Sequence, residues 1–562
     1  MRKIIIFLFY ISSFNYIIAQ DLYRSPLDIP VVLSANFGEL RPNHFHSGID
    51  LKTAGVINKP VYSIADGYIS RISVSPSGYG LAIYVTHATT GQTSVYGHLN
   101  KYAPKVAEYV KTKQYEQESF SVDLQVDKDF LPVKKGELIA YSGNTGSSGG
   151  PHVHFEIRDT ESQKIVDPLV YYKDMITDTQ PPRIKGIAVY PVNEKGAADF
   201  SRDPARRSIS ILKSGAYAPI KDTVEVWGVI GVGVYANDRM DGTANIYGVK
   251  KVRLFCDGTE IYSSDITDVS LSTTRMINSL IDYEYWVKRR IFYQKMFVEP
   301  GNKLQIYKTI NDGYIDIKEE RIYNLRCELE DLYGNQAVYN FSLKGREQTI
   351  PQKKRCEQQM KWDLDNSFIA GRFSLFIPKN YLYDDLCFIL RNRPSVKYLS
   401  DIYRVNDVYV PLHNYSDMSI PLEKDTVNNK SQYGVVRIDG ARETWIGGVY
   451  ENGVMKARIR DLGHSYAVSV DTEAPKITSL QPLRWVKNAE IRIKLSDNKS
   501  GIHTYKGTID GDYVLFENDV KSSVYTYKFD VKRLQKGQNH KLIFTAVDRA
   551  GNTSNYEYVF RY

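Results

Sequence analysis

Gly149-Gly150-Pro151-His152-Val153-His154-Phe155-Glu156-Ile157 reads as a turn leading into a β-strand. Strand alternation sends His152 and His154 to one face and Val153 and Phe155 to the other. Well upstream, Phe37-Gly38-Glu39-Leu40-Arg41-Pro42-Asn43-His44-Phe45-His46-Ser47-Gly48-Ile49-Asp50 contains HxGxD, placing His46 four residues before Asp50. Two imidazoles and one carboxylate suit zinc, and three protein ligands leave a fourth position for water. Such a site polarises carbonyls and brings the pKa of water to roughly 7. Either motif alone is more often plain structure than a site. Composition supports reading them together: six of the ten histidines (His44, His46, His87, His98, His152, His154) crowd between residues 44 and 154.

Further signals follow in order around these two. They are Pro60-Val61, Asp66-Gly67, Gly78-Tyr79-Gly80, Tyr96-Gly97-His98-Leu99, Val133-Lys134-Lys135-Gly136 and Ser142-Gly143-Asn144-Thr145-Gly146. From about Val31 to Tyr172, this series resembles the lysostaphin/LytM-type zinc endopeptidases, which cut peptide bonds in peptidoglycan. The resemblance implies that His46, Asp50 and His154 hold Zn2+ and that His98 and His152 are the catalytic histidines. One would assist deprotonation of water, and the other would stabilise the oxyanion or protonate the leaving amine. Arg41 and Asn43 flank the first ligand and are candidate substrate contacts. Glu156 either orients a ligand or is a solvated strand residue. His44 is not expected to be a ligand, and His87 is expected on a hairpin outside the site.

The implied fold of this region is a narrow groove over an antiparallel sheet, walled by loops. The sequence departs from the shortest relatives at residues 101–132. This insertion contains a helix near Pro104–Gln117, with Pro104 in the first turn, and a charged stretch Val122–Phe130. It forms either a groove wall or lid, or a solvated excursion.

The whole chain has 562 residues, 42% hydrophobic and 25% charged, which fits several globular domains and excludes a polytopic membrane protein. Residues 1–20 read as a secretory signal: Arg2-Lys3, an apolar run to about Ile18, then Ala19-Gln20. An exported protein is expected, in the periplasm or cell envelope, with secretion as the alternative. The net charge of +8 comes without a long basic run, so no nucleic-acid partner is expected. None of Cys256, Cys327, Cys356 and Cys387 has metal-ligand spacing; Cys256 could pair with Cys327, although sequence does not fix the connectivity.

Forty-three tyrosines and short alternating segments broken by Gly, Asp and Asn make the fold mainly β. An internal repeat organises the remainder. Asp178-Thr179-Gln180-Pro181-Pro182-Arg183-Ile184 resembles Asp471-Thr472-Glu473-Ala474-Pro475-Lys476-Ile477. Each opening is followed by DxxxG (Asp238–Gly242, Asp497–Gly501) and then by DxxGNxxxY (Asp331–Tyr339, Asp548–Tyr556). The expected organisation is a signal peptide 1–20, a LytM-type peptidase domain 21–176, an Ig-like β-sandwich 177–346, a β-rich middle domain 347–470 and a C-terminal Ig-like β-sandwich 471–562. The acidic turns are read first as Asp and Gly making turns, with calcium binding as the alternative.

The expected function is zinc-dependent hydrolysis of peptidoglycan cross-links, with peptide stems as substrate; the residues do not identify the cross-link, and a periplasmic location would make it a D-alanyl–diaminopimelate bridge. A non-catalytic LytM-like regulator of a cell-wall amidase is one alternative; an envelope scaffold or adhesin is another. The C-terminal β modules could dock an envelope protein partner.

Overall fold

The computed structural model describes residues 22–350 and 356–562, so the signal segment expected over residues 1–20 lies outside the described residues. The chain is mainly β, 49% strand and 9% helix.

The strand His152–Asp159 lies at the middle of the N-terminal sheet. It pairs antiparallel with Ile49–Lys52 on one side and with Gln92–Tyr102 on the other. Beyond them, Leu33–Ala35 pairs with Ile49–Lys52, while Leu81–His87 and then Gly67–Val74 extend the opposite edge. Leu138–Ser142 joins Pro60–Tyr62 to the end of Gln92–Tyr102. The alternation read from sequence holds. Val153, Phe155 and Ile157 are fully buried in a core with Tyr96, Leu99, Ile83 and Ile49. Each such side chain withdrawn from water contributes about 1.5–3 kcal/mol.

The helix expected near Pro104–Gln117 forms over Pro104–Glu116, with proline in its first turn and Val106, Val110 and Gln114 buried at helical spacing. Tyr109 is half-buried, and its ring meets Phe130 at 5.0 Å. Val122–Gln125 then adds to the sheet beside Gly67–Val74. The insertion is therefore packed, and the solvated-excursion reading fails. Its outer face meets the C-terminal unit: Lys111 pairs with Asp530 at 2.8 Å, and the Arg533 guanidinium covers the Tyr115 ring at 3.6 Å.

Residues 183–345 build one continuous ten-stranded sheet around a shared core that includes Val226, Ile230, Val232, Leu254, Leu325 and Leu343. Its long strand Val224–Asn237 pairs antiparallel with Arg183–Ala198 and, near its start, parallel with the end of Gln336–Gly345. The N-terminal sheet continues into this unit through Ile165–Val166 pairing with Asp268–Val269. An eight-stranded sheet follows between Asn366 and Val470. The last unit has a three-stranded and a four-stranded sheet facing one another across Trp485, Ile493, Phe516, Tyr527 and Phe544.

The cysteine expectation needs correction. Cys356 and Cys387 form the disulfide, and Cys256 and Cys327 are free. On adjacent strands Cys256 lies opposite Leu325 and Cys327 opposite Leu254, so the two sulfurs are diagonal neighbours. Diagonal Cβ atoms are about 7–8 Å apart, too far for the roughly 3.8 Å a disulfide requires.

Candidate metal centre

Strand register brings the site together. His154 stands directly opposite Asp50 on one flanking strand and Gly97 on the other, and His152 is opposite Lys52. His46 arrives from the short turn that precedes Ile49–Lys52. That turn needs glycine at position 48, because a Cβ there would lie 2.3 Å from the Phe155 carbonyl oxygen.

Three donor atoms converge. His46 Nε2 is 3.1 Å from Asp50 Oδ1 and 3.1 Å from His154 Nδ1, which is itself 2.9 Å from Asp50 Oδ1. The outer nitrogens are already committed: His46 Nδ1 donates to the Asn36 carbonyl at 2.7 Å, and His154 Nε2 donates to Glu156 at 2.9 Å. Two imidazole lone pairs and a carboxylate oxygen thus face one point, 8%, 4% and 9% exposed for His46, His154 and Asp50. Such a set calls for a cation. Zinc bonds of about 2.0–2.1 Å in tetrahedral geometry place donors roughly 3.3 Å apart, close to these separations. Burial lowers the His154 pKa, but the Asp50 and Glu156 carboxylates outweigh it and raise it to about 9. Burial opposes ionisation of Asp50, yet His152, His154 and His46 hold it well below the usual carboxylate range.

The remaining histidines line this cluster. The His98 ring lies 4.8 Å from that of His152 and 5.9 Å from that of His154. His98 sits at a β-bulge, marked by the register jump between Leu81 and Ile83, with a left-handed φ of 58°. Bulges re-aim side chains, and here the imidazole is turned towards the ligands. His98 Nδ1 donates to the Thr145 carbonyl at 2.8 Å, and His152 Nδ1 to the Gly150 carbonyl at 2.8 Å. A carbonyl only accepts, so Nδ1 carries the proton in each ring and Nε2 is the remaining basic atom, which in His152 lies 3.4 Å from Asp50 Oδ1. Burial, then His154 and His152, lower the His98 pKa to about 3, so the ring is neutral at neutral pH.

Comparison with known proteins matches the stretch of chain that holds this cluster. The family model described as Peptidase family M23 matches residues 44–115 and 123–168. An uncharacterized metalloprotease of Haemophilus influenzae is 34% identical over 119 residues, 21% of this chain and 19% of that protein. The DD-carboxypeptidase/endopeptidase Mpg of Neisseria meningitidis serogroup B is 31% identical over 113 residues, 20% of each chain. The chain carries a peptidase family M23 domain. It spans about a fifth of the length of these curated relatives. Among solved structures, the catalytic domain of lysostaphin from Staphylococcus simulans is 25% identical, covering 25% of this chain and 92% of that one, with a TM-score of 0.19. A separate model, described as Zu5-like domain, matches residues 357–471.

Within the M23 domain, the structure settles Glu156. It is fully buried, receives His154, and pairs with Arg158, so the solvated reading is overturned. Ser47 and Tyr79 hydroxyls also donate to it, both at 2.5 Å, and the Tyr79 ring stacks on His154 at 5.1 Å. Sequence reasoning missed Tyr79 and Arg158 as parts of the site. Arg158 was within reach, since the alternation that pairs His152 with His154 continues to Glu156 and Arg158. Arg41 is half-buried beside the first ligand and pairs with Glu39 at 3.2 Å. Asn43 turns its Oδ1 towards Arg275 and Asn278, at 2.8 and 3.1 Å, so that oxygen joins the hairpin to the next unit. His44 is exposed and bonded to Pro42, while His87 is buried between Asp66 and Ser94, and neither enters the cluster.

The loop after Leu138–Ser142 carries the Thr145 carbonyl that orients His98. Gly146 packs on Gly80 so tightly that a Cβ would lie 2.3 Å from the Gly80 nitrogen. The C-terminal unit grips the same loop. Gly146 N–H donates to Asp519 at 2.9 Å, and Lys521 Nζ donates to the Asn144 carbonyl at 2.7 Å and to the Gly146 carbonyl.

Proposed function

We propose that this protein is a zinc-dependent endopeptidase that hydrolyses peptide cross-links of bacterial peptidoglycan. The observation that carries the reading is the convergence of the His46, Asp50 and His154 donor atoms beside a neutral His98 and a carbonyl-anchored His152. Zinc held by His46, Asp50 and His154 would supply a Lewis acid for the scissile carbonyl and make water a nucleophile at neutral pH. Glu156 holds His154 in the tautomer that presents Nδ1, with Arg158 fixing the carboxylate. His98 and His152 offer Nε2 atoms, one to take the proton of the attacking water and the other to meet the oxyanion or protonate the leaving amine.

Substrate class is supported by the relative named a DD-carboxypeptidase/endopeptidase and by the likeness to lysostaphin's catalytic domain. Action in the periplasm or cell envelope is supported by the signal-like residues 1–20 and by the Cys356–Cys387 disulfide, since disulfides persist in oxidising compartments. Chelator-sensitive loss of cross-linked muropeptides from purified sacculi tests the reading; cross-links that persist under zinc-loaded protein would refute it.

A further inference from the structure

Two acidic clusters outside the M23 domain occupy matching places in the two repeat units. One oxygen from each of Asp178, Asp238 and Asp331 lies within 4.8 Å of the others, and Asp471, Asp497 and Asp548 repeat the arrangement. Asp178, Asp238 and Asp331 are 8%, 1% and 5% exposed. None of the six carboxylates forms an ion pair among the described residues. Carboxylates this close repel one another unless a counter-charge lies between them. Accordingly, burial and then the Asp331 and Asp178 carboxylates push Asp238 up to about 8. Burial and then Asp331 push Asp178 up to about 6.

Turn formation accounts for only part of each cluster. Asp331 Oδ1 accepts from the Tyr333 and Asn335 backbones at 2.8 and 2.9 Å, and Asp548 Oδ1 accepts from Ala550 and Asn552 at the same distances. Asn335 Nδ2 ties the Asp178 carbonyl to Asp331, and Asn552 Nδ2 ties the Asp471 carbonyl to Asp548. Left over are buried oxygens with no partner: Asp178 Oδ2 in the first cluster, and Asp497 Oδ2 with Ser500 Oγ in the second. Ser500 is 3% exposed and donates its N–H to Asp471, so its orphan hydroxyl lies beside the cluster. Buried polar atoms normally find partners, so unpartnered oxygens beside mutually repelling carboxylates are suited to a cation.

We propose that each cluster binds one divalent cation of the calcium class. The donors are all oxygen, with neither imidazole nor thiolate, which suits a hard cation rather than zinc. Each ion would fasten the segment entering a module, at Asp178 or Asp471, to the module's two acidic turns. The junctions with the M23 domain and with the middle region would then be rigid only when calcium is present.

The test uses the full chain, stripped of metal, reloaded with zinc and dialysed against millimolar calcium chloride. Two bound calcium ions per chain are expected, one for each cluster, with a melting temperature several degrees above that in calcium-free buffer. Asp238→Asn should lose one ion and Asp497→Asn the other. In calcium-free buffer Asp238→Asn should melt no lower than the parent, because it removes an acid whose pKa burial and its neighbours push up to about 8, and with it the cost of burying that acid near neutral pH. No bound calcium in the parent protein, or an undiminished count in the doubly substituted protein, would overturn the proposal. The parent count stands on its own if a variant does not fold, and Asp548→Asn then replaces Asp497→Asn.

Discussion

Glu156 shows how much of this site depends on a residue outside the three converging donors. It receives His154 Nε2–H, two hydroxyls and Arg158 while fully buried. Replacing it as Glu156→Gln keeps the shape but removes the charge that orients the ligand and balances Arg158. Zinc affinity should fall about 10–100-fold, read by competition with a chromophoric chelator. Unchanged affinity would mean that His154 is held by packing alone. The convergence of His46, Asp50 and His154 was legible in sequence because HxGxD and HxH are compact and strand parity is simple. Tyr79 was not, since its approach to His154 depends on how a loop folds over the sheet.

At the scale of elements, the helix Pro104–Glu116 was legible because its burial follows helical spacing, and the strand His152–Asp159 because polar and apolar residues alternate along it, although both of its faces are buried. The bulge at His98 was not, since a register jump leaves no mark in the alternation of a chain read alone. The same holds for the cysteines, where diagonal placement on paired strands, not spacing, prevents Cys256 from reaching Cys327. A further element-level effect lies where the M23 domain ends. Buried Asp167 accepts from the Leu169 backbone at the start of the short helix Leu169–Tyr172, and burial raises its pKa from 3.8 to about 6. The unfolded chain ionises this group first, so its burial costs nothing below about pH 4 and reaches about 3 kcal/mol above pH 6. Asp167→Asn should therefore raise the melting temperature at pH 7.5 and leave it unchanged at pH 4. Equal shifts at both pH values would show that ionisation is not the cause.

The whole molecule joins its last unit to its first. Asp519 and Lys521 hold the Asn144–Gly146 loop, whose Thr145 carbonyl orients His98, while Val520 N–H donates to the Pro76 carbonyl at 2.8 Å. This grip was invisible in sequence, where Asp519 and Lys521 are ordinary turn residues far from the histidines. Removing both, as Asp519→Ala with Lys521→Ala, should lower turnover by up to about 100-fold while zinc content stays constant, because misplacing a proton-transfer group by about 1 Å carries that penalty. Unaltered turnover would make the contact a matter of assembly only. The most direct test of the central claim is mass spectrometry of muropeptides released from purified sacculi by the zinc-loaded full chain and by its His154→Ala variant. The account predicts that cross-linked dimers are converted to monomers by the parent protein, that chelation stops this and zinc restores it, and that the variant is inert. Dimers left intact by the parent, or cleaved equally by the variant, would contradict it.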